Sequence, residues 1–186
     1  VNFYFMVSGL LYIGWLINFL IYSEVSMILS TICILGSIYF GFLIDYVAKP
    51  FSLERNCYEI VLGSIPLSIF LGWNIILFFL TFTRAAISQN EFSMDSKYIF
   101  CVLILVFITI CLTVYLMNYG NYILMLVNLY YVVNMFIKYN GVNDMVKYGI
   151  IIDICIIIFI LIIKIIIDIN RYKIFREEKE LNENLI

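Results

Sequence analysis

From Tyr98 to Met117 the chain carries no charged side chain. A helix rises about 1.5 Å per residue, so this run matches the ~30 Å hydrocarbon core of a bilayer. Hydrocarbon offers the backbone no hydrogen-bond partner. A segment that enters it must pair its own N–H and C=O groups, as a helix does. A spanning β-strand would alternate polar and apolar residues, and this run does not.

Further apolar runs cover about Asn2–Tyr22, Val25–Val47, Glu59–Thr81, Tyr122–Lys138 and Tyr148–Ile169. The first has neither a positive leader nor a small-residue cleavage site, so it reads as a span and not as a signal peptide. The minimal Ser23-Glu24 connection makes the first two spans antiparallel neighbours. The fifth is near the lower length limit for a span. Residues 83–97 form the longest polar stretch, a loop or a short interfacial helix. The chain is 65% hydrophobic and 13% charged, against about 45–50% and about 25% in a soluble domain. The expectation is an all-α, polytopic transmembrane helix bundle of about six spans. Residues 1–170 form the transmembrane domain, and residues 171–186 a charged helical tail on the cytoplasmic side.

What is missing excludes several chemistries. There is no histidine, which removes histidine general bases, histidine-ligated haem and the common zinc sites. Four of the five cysteines lie inside apolar runs without a Cys-x-x-Cys spacing, as small buried hydrophobes do. Neither a Gly-x-Gly-x-x-Gly motif nor a phosphate loop is visible. No cofactor or metal is expected, and enzymatic activity is the less favoured reading. The net charge of −2 and the lack of a basic stripe speak against nucleic acid. The expected partners are the lipid bilayer and other membrane subunits.

Lysine and arginine set orientation. One side of a six-span bundle holds Lys49, Arg55, Arg171, Lys173, Arg176 and Lys179; the other holds Arg84, Lys97, Lys138 and Lys147. The bias puts both termini on the cytoplasmic or matrix side of a cell or organelle inner membrane.

The third run holds most of the unusual residues. Each helical residue turns about 100°. With Glu59 at zero, Ser64, Ser68 and Gly72 fall at about 140°, 180° and 220°, a small-residue groove for packing. Gly63, Pro66, Trp73 and Asn74 fall within about 60° of Glu59. Glu59, Trp73 and Asn74 therefore read as a candidate binding face. The second run presents Ser26, Ser30, Ser37 and Gly41, and its Ser37–Gly41 side is the expected seat for the Ser64–Gly72 groove. Pro66 removes the hydrogen bond to the Leu62 carbonyl, a cause of bending.

The sixth run carries Asp153, Lys164 and Asp168. An acid inside a span is a functional-site hypothesis by default, so Asp153 is a further candidate binding residue, for a proton, a cation or a polar partner such as Asn74. It is about 16 Å along the axis from Lys164 and cannot pair with it. Lys164 either pairs with Asp168 at i+4 or, as the favoured reading, snorkels to the interface. Asn18, Asn128 and Asn134 are expected to hold helices together.

Pro50-Phe51, Tyr58, Gly63-x-x-Pro66-Leu67 and Trp73 form a pattern similar to the core of the carotenoid biosynthesis membrane proteins, a hydratase-like family. The resemblance covers about 30 residues, with Ser52 where the family has glycine. It implies protonation of a polyene double bond by a carboxylic acid, followed by water addition, with Asp45, Glu54 or Glu59 as the acid. Three functions follow as expectations: a transport or accessory subunit that binds a small or lipid-like molecule or a protein partner; a membrane enzyme on an isoprenoid lipid; or a structural subunit of a larger membrane complex.

Overall fold

The computed structural model describes residues 2–21, 23–48, 60–88, 94–139 and 144–183. Among them the chain forms α1 (Asn2–Leu20), α2 (Glu24–Ala48), α3 (Ile65–Ser88), α4 (Met94–Tyr119), α5 (Tyr122–Tyr139) and α6 (Asp144–Glu183). A π-helical turn, Ile60–Ser64, leads into α3. Stretches within α1, α2, α4 and α6, and Val61–Ala85 through α3, are long and apolar enough to cross a membrane; Tyr122–Lys138 of α5 is a shorter apolar helix. At 18 residues, α5 reaches about 27 Å, close to the thickness of the hydrocarbon. The protein is an all-α helical bundle of the multi-pass membrane class.

The connections explain the alternation of helix direction. The Ser23 hydroxyl accepts from the Ser26 N–H at 3.2 Å and so caps α2. Gly120 ends α4 at φ 71°, a left-handed conformation that glycine adopts without penalty. Its N–H closes on the Leu116 carbonyl at 2.8 Å, and the Asn121 side chain caps α5 by accepting from the Leu124 N–H at 3.2 Å. The helix expected to stop near Thr81 runs on to Ser88, so the polar stretch after it is helical at its start. In the same way α6 continues unbroken to Glu183 through the charged tail.

Contacts order the bundle. α1 packs on α2, α2 on α3, α3 on α5 and α5 on α6, while α4 lies against α5 and α6. Close approach is bought with small residues, since lipid provides no hydrophobic drive between helices. Gly36 lies beneath Leu11, Gly41 beneath Leu71, and Gly149 beneath Val102. Ser64 and Ser68 are buried, and Gly72 faces Val127 and Leu124. The Ser64–Ser68–Gly72 groove thus seats α5. On the Ser37–Gly41 side of α2, the α3 residues in contact are Asn74, against Ser37, and Leu71, against Gly41. The main core, around Leu71, Leu116, Leu124, Met125 and Ile157, joins α3 to α6.

The π-helical turn directly precedes Pro66. Proline donates no backbone hydrogen bond and its ring crowds the preceding turn. A wider turn at Ile60–Ser64 absorbs both effects. Gly63 and Pro66 themselves face outward.

Candidate functional site

Polar side chains meet at several levels of the bundle. One cluster lies where α2 ends, α4 ends and α5 begins. Asp45, two residues inside the apolar run of α2, is 2% exposed. Tyr115 of α4 donates its hydroxyl hydrogen bond to Asp45 Oδ2. The Asn121 amide donates to the same carboxylate at 3.2 and 3.3 Å, and to Ser68 Oγ of α3 at 2.9 Å. Ser68 in turn donates to the Ser64 carbonyl at 2.8 Å. Tyr115 and Asn121 therefore meet on one carboxylate, and Ser68 joins the cluster through Asn121. Two neutral donors hold the carboxylate, and no lysine or arginine among the described residues pairs with it.

An apolar groove runs from this cluster between α2 and α4, with α3 as its floor. Its volume is about 460 Å³, within the usual range for a small-molecule site of about 300–1,000 Å³. Leu35 and Phe42 of α2, Phe78 of α3, and Ile108 and Leu112 of α4 line it. Tyr46, Tyr115 and Tyr119 line its polar end. The Phe42 and Tyr115 rings stand 4.8 Å apart, and Tyr115 and Tyr119 4.6 Å apart. These tilted ring contacts flank Tyr115, whose hydroxyl bonds Asp45 while its ring lines the groove.

A second cluster sits deeper. Thr109 of α4 donates to Asp153 Oδ2 at 3.1 Å, and the Asn128 amide of α5 donates to Thr109 Oγ1 at 3.1 Å. Asp153 is fully buried, and its Oδ1 has no partner among the described residues. A third cluster joins α1, α2 and α3. Ser8 and Ser37 share a hydrogen bond at 3.0 Å, and the Asn74 amide donates to Ser37 Oγ at 3.0 Å. Asn74 Oδ1 is likewise a buried side-chain atom without a partner among the described residues. Nearby, the Trp15 indole donates to Thr81 Oγ1 at 2.9 Å.

The candidate face of the third run divides. Asn74 is buried against Ser37, whereas Trp73 is 46% exposed and turned outward. About 100° separates neighbouring residues on a helix, and the boundary between protein and lipid falls between these two. Glu59, with Pro50, Phe51, Ser52, Glu54 and Tyr58, lies outside the described residues. Asp153 meets Thr109 and not Asn74. Lys164 does not snorkel: its side chain is 5% exposed and bonds Asp168 at 2.8 Å, and Tyr122 donates to the same aspartate. That pairing neutralises the lysine inside the bundle, where leaving it alone would cost more. Asn128 binds across helices, but Asn18 and Asn134 donate to carbonyls of their own helices, those of Gly14 and Tyr130.

Tyr115, Asn121 and Thr109 were not evident as site residues from the sequence. Asn121 directly before an apolar run is a helix-cap signal, and Asp45 inside a span demands donors. Together they point to this corner. Nothing local marks Tyr115 among the many tyrosines. A comparison with protein-family models, curated proteins and solved structures finds no match for this chain.

Proposed function

We propose that this multi-pass membrane protein binds an amphiphilic, lipid-like molecule in the α2–α4 groove, as a transport or accessory subunit. The observation that carries this reading is the groove's composition: apolar along its length and phenolic at one end. Its apolar walls gain little from displacing lipid tails, which are equally apolar. Selectivity must then come from the polar end. The Tyr115 hydroxyl donates to Asp45 and keeps a lone pair to accept from a ligand hydroxyl. A long-chain alcohol or a lipid with a small hydroxylated head fits this chemistry. The Lys49–Arg55 and Arg171–Lys179 charges belong to the same side as the Asp45 corner, which favours a cytoplasmic or matrix position for it. Native mass spectrometry from mild detergent tests the reading. Wild type is expected to keep one long-chain alcohol, such as farnesol, and Tyr115→Phe to bind it about tenfold more weakly, about 1.4 kcal/mol. Equal retention by both would count against it.

A second reading has its own observation. Asp45 is a buried acid beside an apolar groove, and Asp45 is one of the acids implied by the carotenoid-hydratase resemblance. In this reading Asp45, as the neutral acid, gives its proton to a polyene carbon, water adds to the resulting cation, and the surplus proton of that water returns to the Asp45 carboxylate. Lipid extracts from cells with wild type, Asp45→Asn and no protein decide it. A hydroxylated product present only with wild type supports the enzyme; identical extracts reject it.

A further inference from the structure

We propose that Asp153, held by Thr109 of α4, which Asn128 of α5 bonds in turn, is an intramembrane proton-binding site. Three observations meet there. The carboxyl group is fully buried, one oxygen accepts a single neutral hydrogen bond, and the other oxygen has no partner among the described residues. As a carboxylate it would leave a net charge unpaired inside the bilayer, which costs several kcal/mol or more. As a neutral carboxyl it leaves only one polar atom short of a partner, which costs about 1–3 kcal/mol. The difference favours a bound proton.

Among the described residues no cation pairs with Asp153. From α4 the bonded group is Thr109, which Asn128 of α5 bonds in turn, and neither side chain titrates. On α6 itself Cys155 is exposed, Lys164 is committed to Asp168, and Lys147 lies near the helix start. A sodium ion is the other small cation to weigh. It needs several oxygen ligands, whereas Asn128 presents its N–H to Thr109, whose hydroxyl faces Asp153. The proton requires one oxygen, and Asp153 Oδ1 is that oxygen.

Infrared spectroscopy of the full chain in phosphatidylcholine vesicles tests the site without a ligand. At neutral pH a protonated-carboxyl carbonyl band is expected in wild type and absent in Asp153→Asn. Thr109→Val should keep the band and shift its frequency, since it removes the bond to Oδ2 but preserves shape; a merely structural role for Asp153 predicts no such shift. The band should be the same in sodium and choline chloride. A wild-type band unchanged in Asp153→Asn would overturn the proposal, and a band that sodium removes at constant pH would replace the proton with a metal ion. If Asp153→Asn does not fold, the wild-type sodium response and the Thr109→Val shift still decide.

Discussion

The Tyr115 hydroxyl donates to the Asp45 carboxylate and ties the end of α4 to the end of α2. Asn121, across the Gly120 turn, reaches the same carboxylate while capping α5. Replacing one donor leaves the other in place. Tyr115→Phe is therefore expected to destabilise the protein by about 1 kcal/mol, in the range measured for hydrogen bonds inside membranes. Asn121→Ala loses a cap as well and should cost about 2 kcal/mol. Denaturant unfolding in mixed micelles measures both, and an Asn121→Ala effect no larger than that of Tyr115→Phe would contradict the dual role.

Glycine contacts give a graded series. A methyl group at Gly72 would meet Val127 Cγ1 at 2.9 Å and its Cβ at 3.0 Å. Valine is stiff at χ1 and cannot swing away. At Gly41 the obstacle is the tip of Leu71, at 2.8 Å, which can rotate. A methyl group at Gly63 would meet no packed neighbour within 4 Å among the described residues. Gly72→Ala should cost about 1–3 kcal/mol, Gly41→Ala less, and Gly63→Ala within about 0.5 kcal/mol of zero. Thermal unfolding ranks the three, and a different order would show that α5 does not rest on Gly72.

Neighbouring residues on α3 should behave oppositely. Asn74→Ala removes the donor to Ser37 and is expected to lower stability by about 1 kcal/mol. Trp73→Leu changes an outward side chain and should be silent within about 0.5 kcal/mol. Equal effects in the same unfolding assay would mean that the protein–lipid boundary lies elsewhere on this helix.

Pro66→Ala tests the origin of the π-helical turn. The variant restores a backbone N–H, and the turn at Ile60–Ser64 should tighten to an α-helix. Amide exchange around residue 66 should become slower than in the flanking turn of wild type. A π-helical turn that persists in the variant's structure would assign it to packing instead.

These particulars explain what a linear reading reaches. Spans such as those of α1 (Asn2–Leu20) and α4 (Met94–Tyr119) follow from hydrocarbon, length and the backbone's need to pair. Burial of Asn74 and Asp153 was approachable, because a polar group inside a span needs a partner. Which partner was not. Thr109 is one threonine in an apolar run, and only the side-by-side position of α4 and α6 brings it to Asp153. Helical periodicity aligned Trp73 with Asn74 but could not say where protein gives way to lipid. The Asp45 corner joins residues from four places, Asp45, Ser68, Tyr115 and Asn121, and their sequence separations hide it.

The groove between α2 and α4 is the centre of the functional account, and Cys111 lines it as a free, exposed thiol. Photo-crosslinking with a diazirine-bearing long-chain isoprenyl alcohol in vesicles, mapped by peptide mass spectrometry, tests it most directly. The account predicts adducts on α2 and α4 around Leu35–Tyr46 and Phe107–Tyr119, competed by unlabelled alcohol, with alkylation of Cys111 slowed as the alcohol is added. Adducts spread evenly over the lipid-facing sides of all six helices, with Cys111 alkylation unchanged, would contradict it.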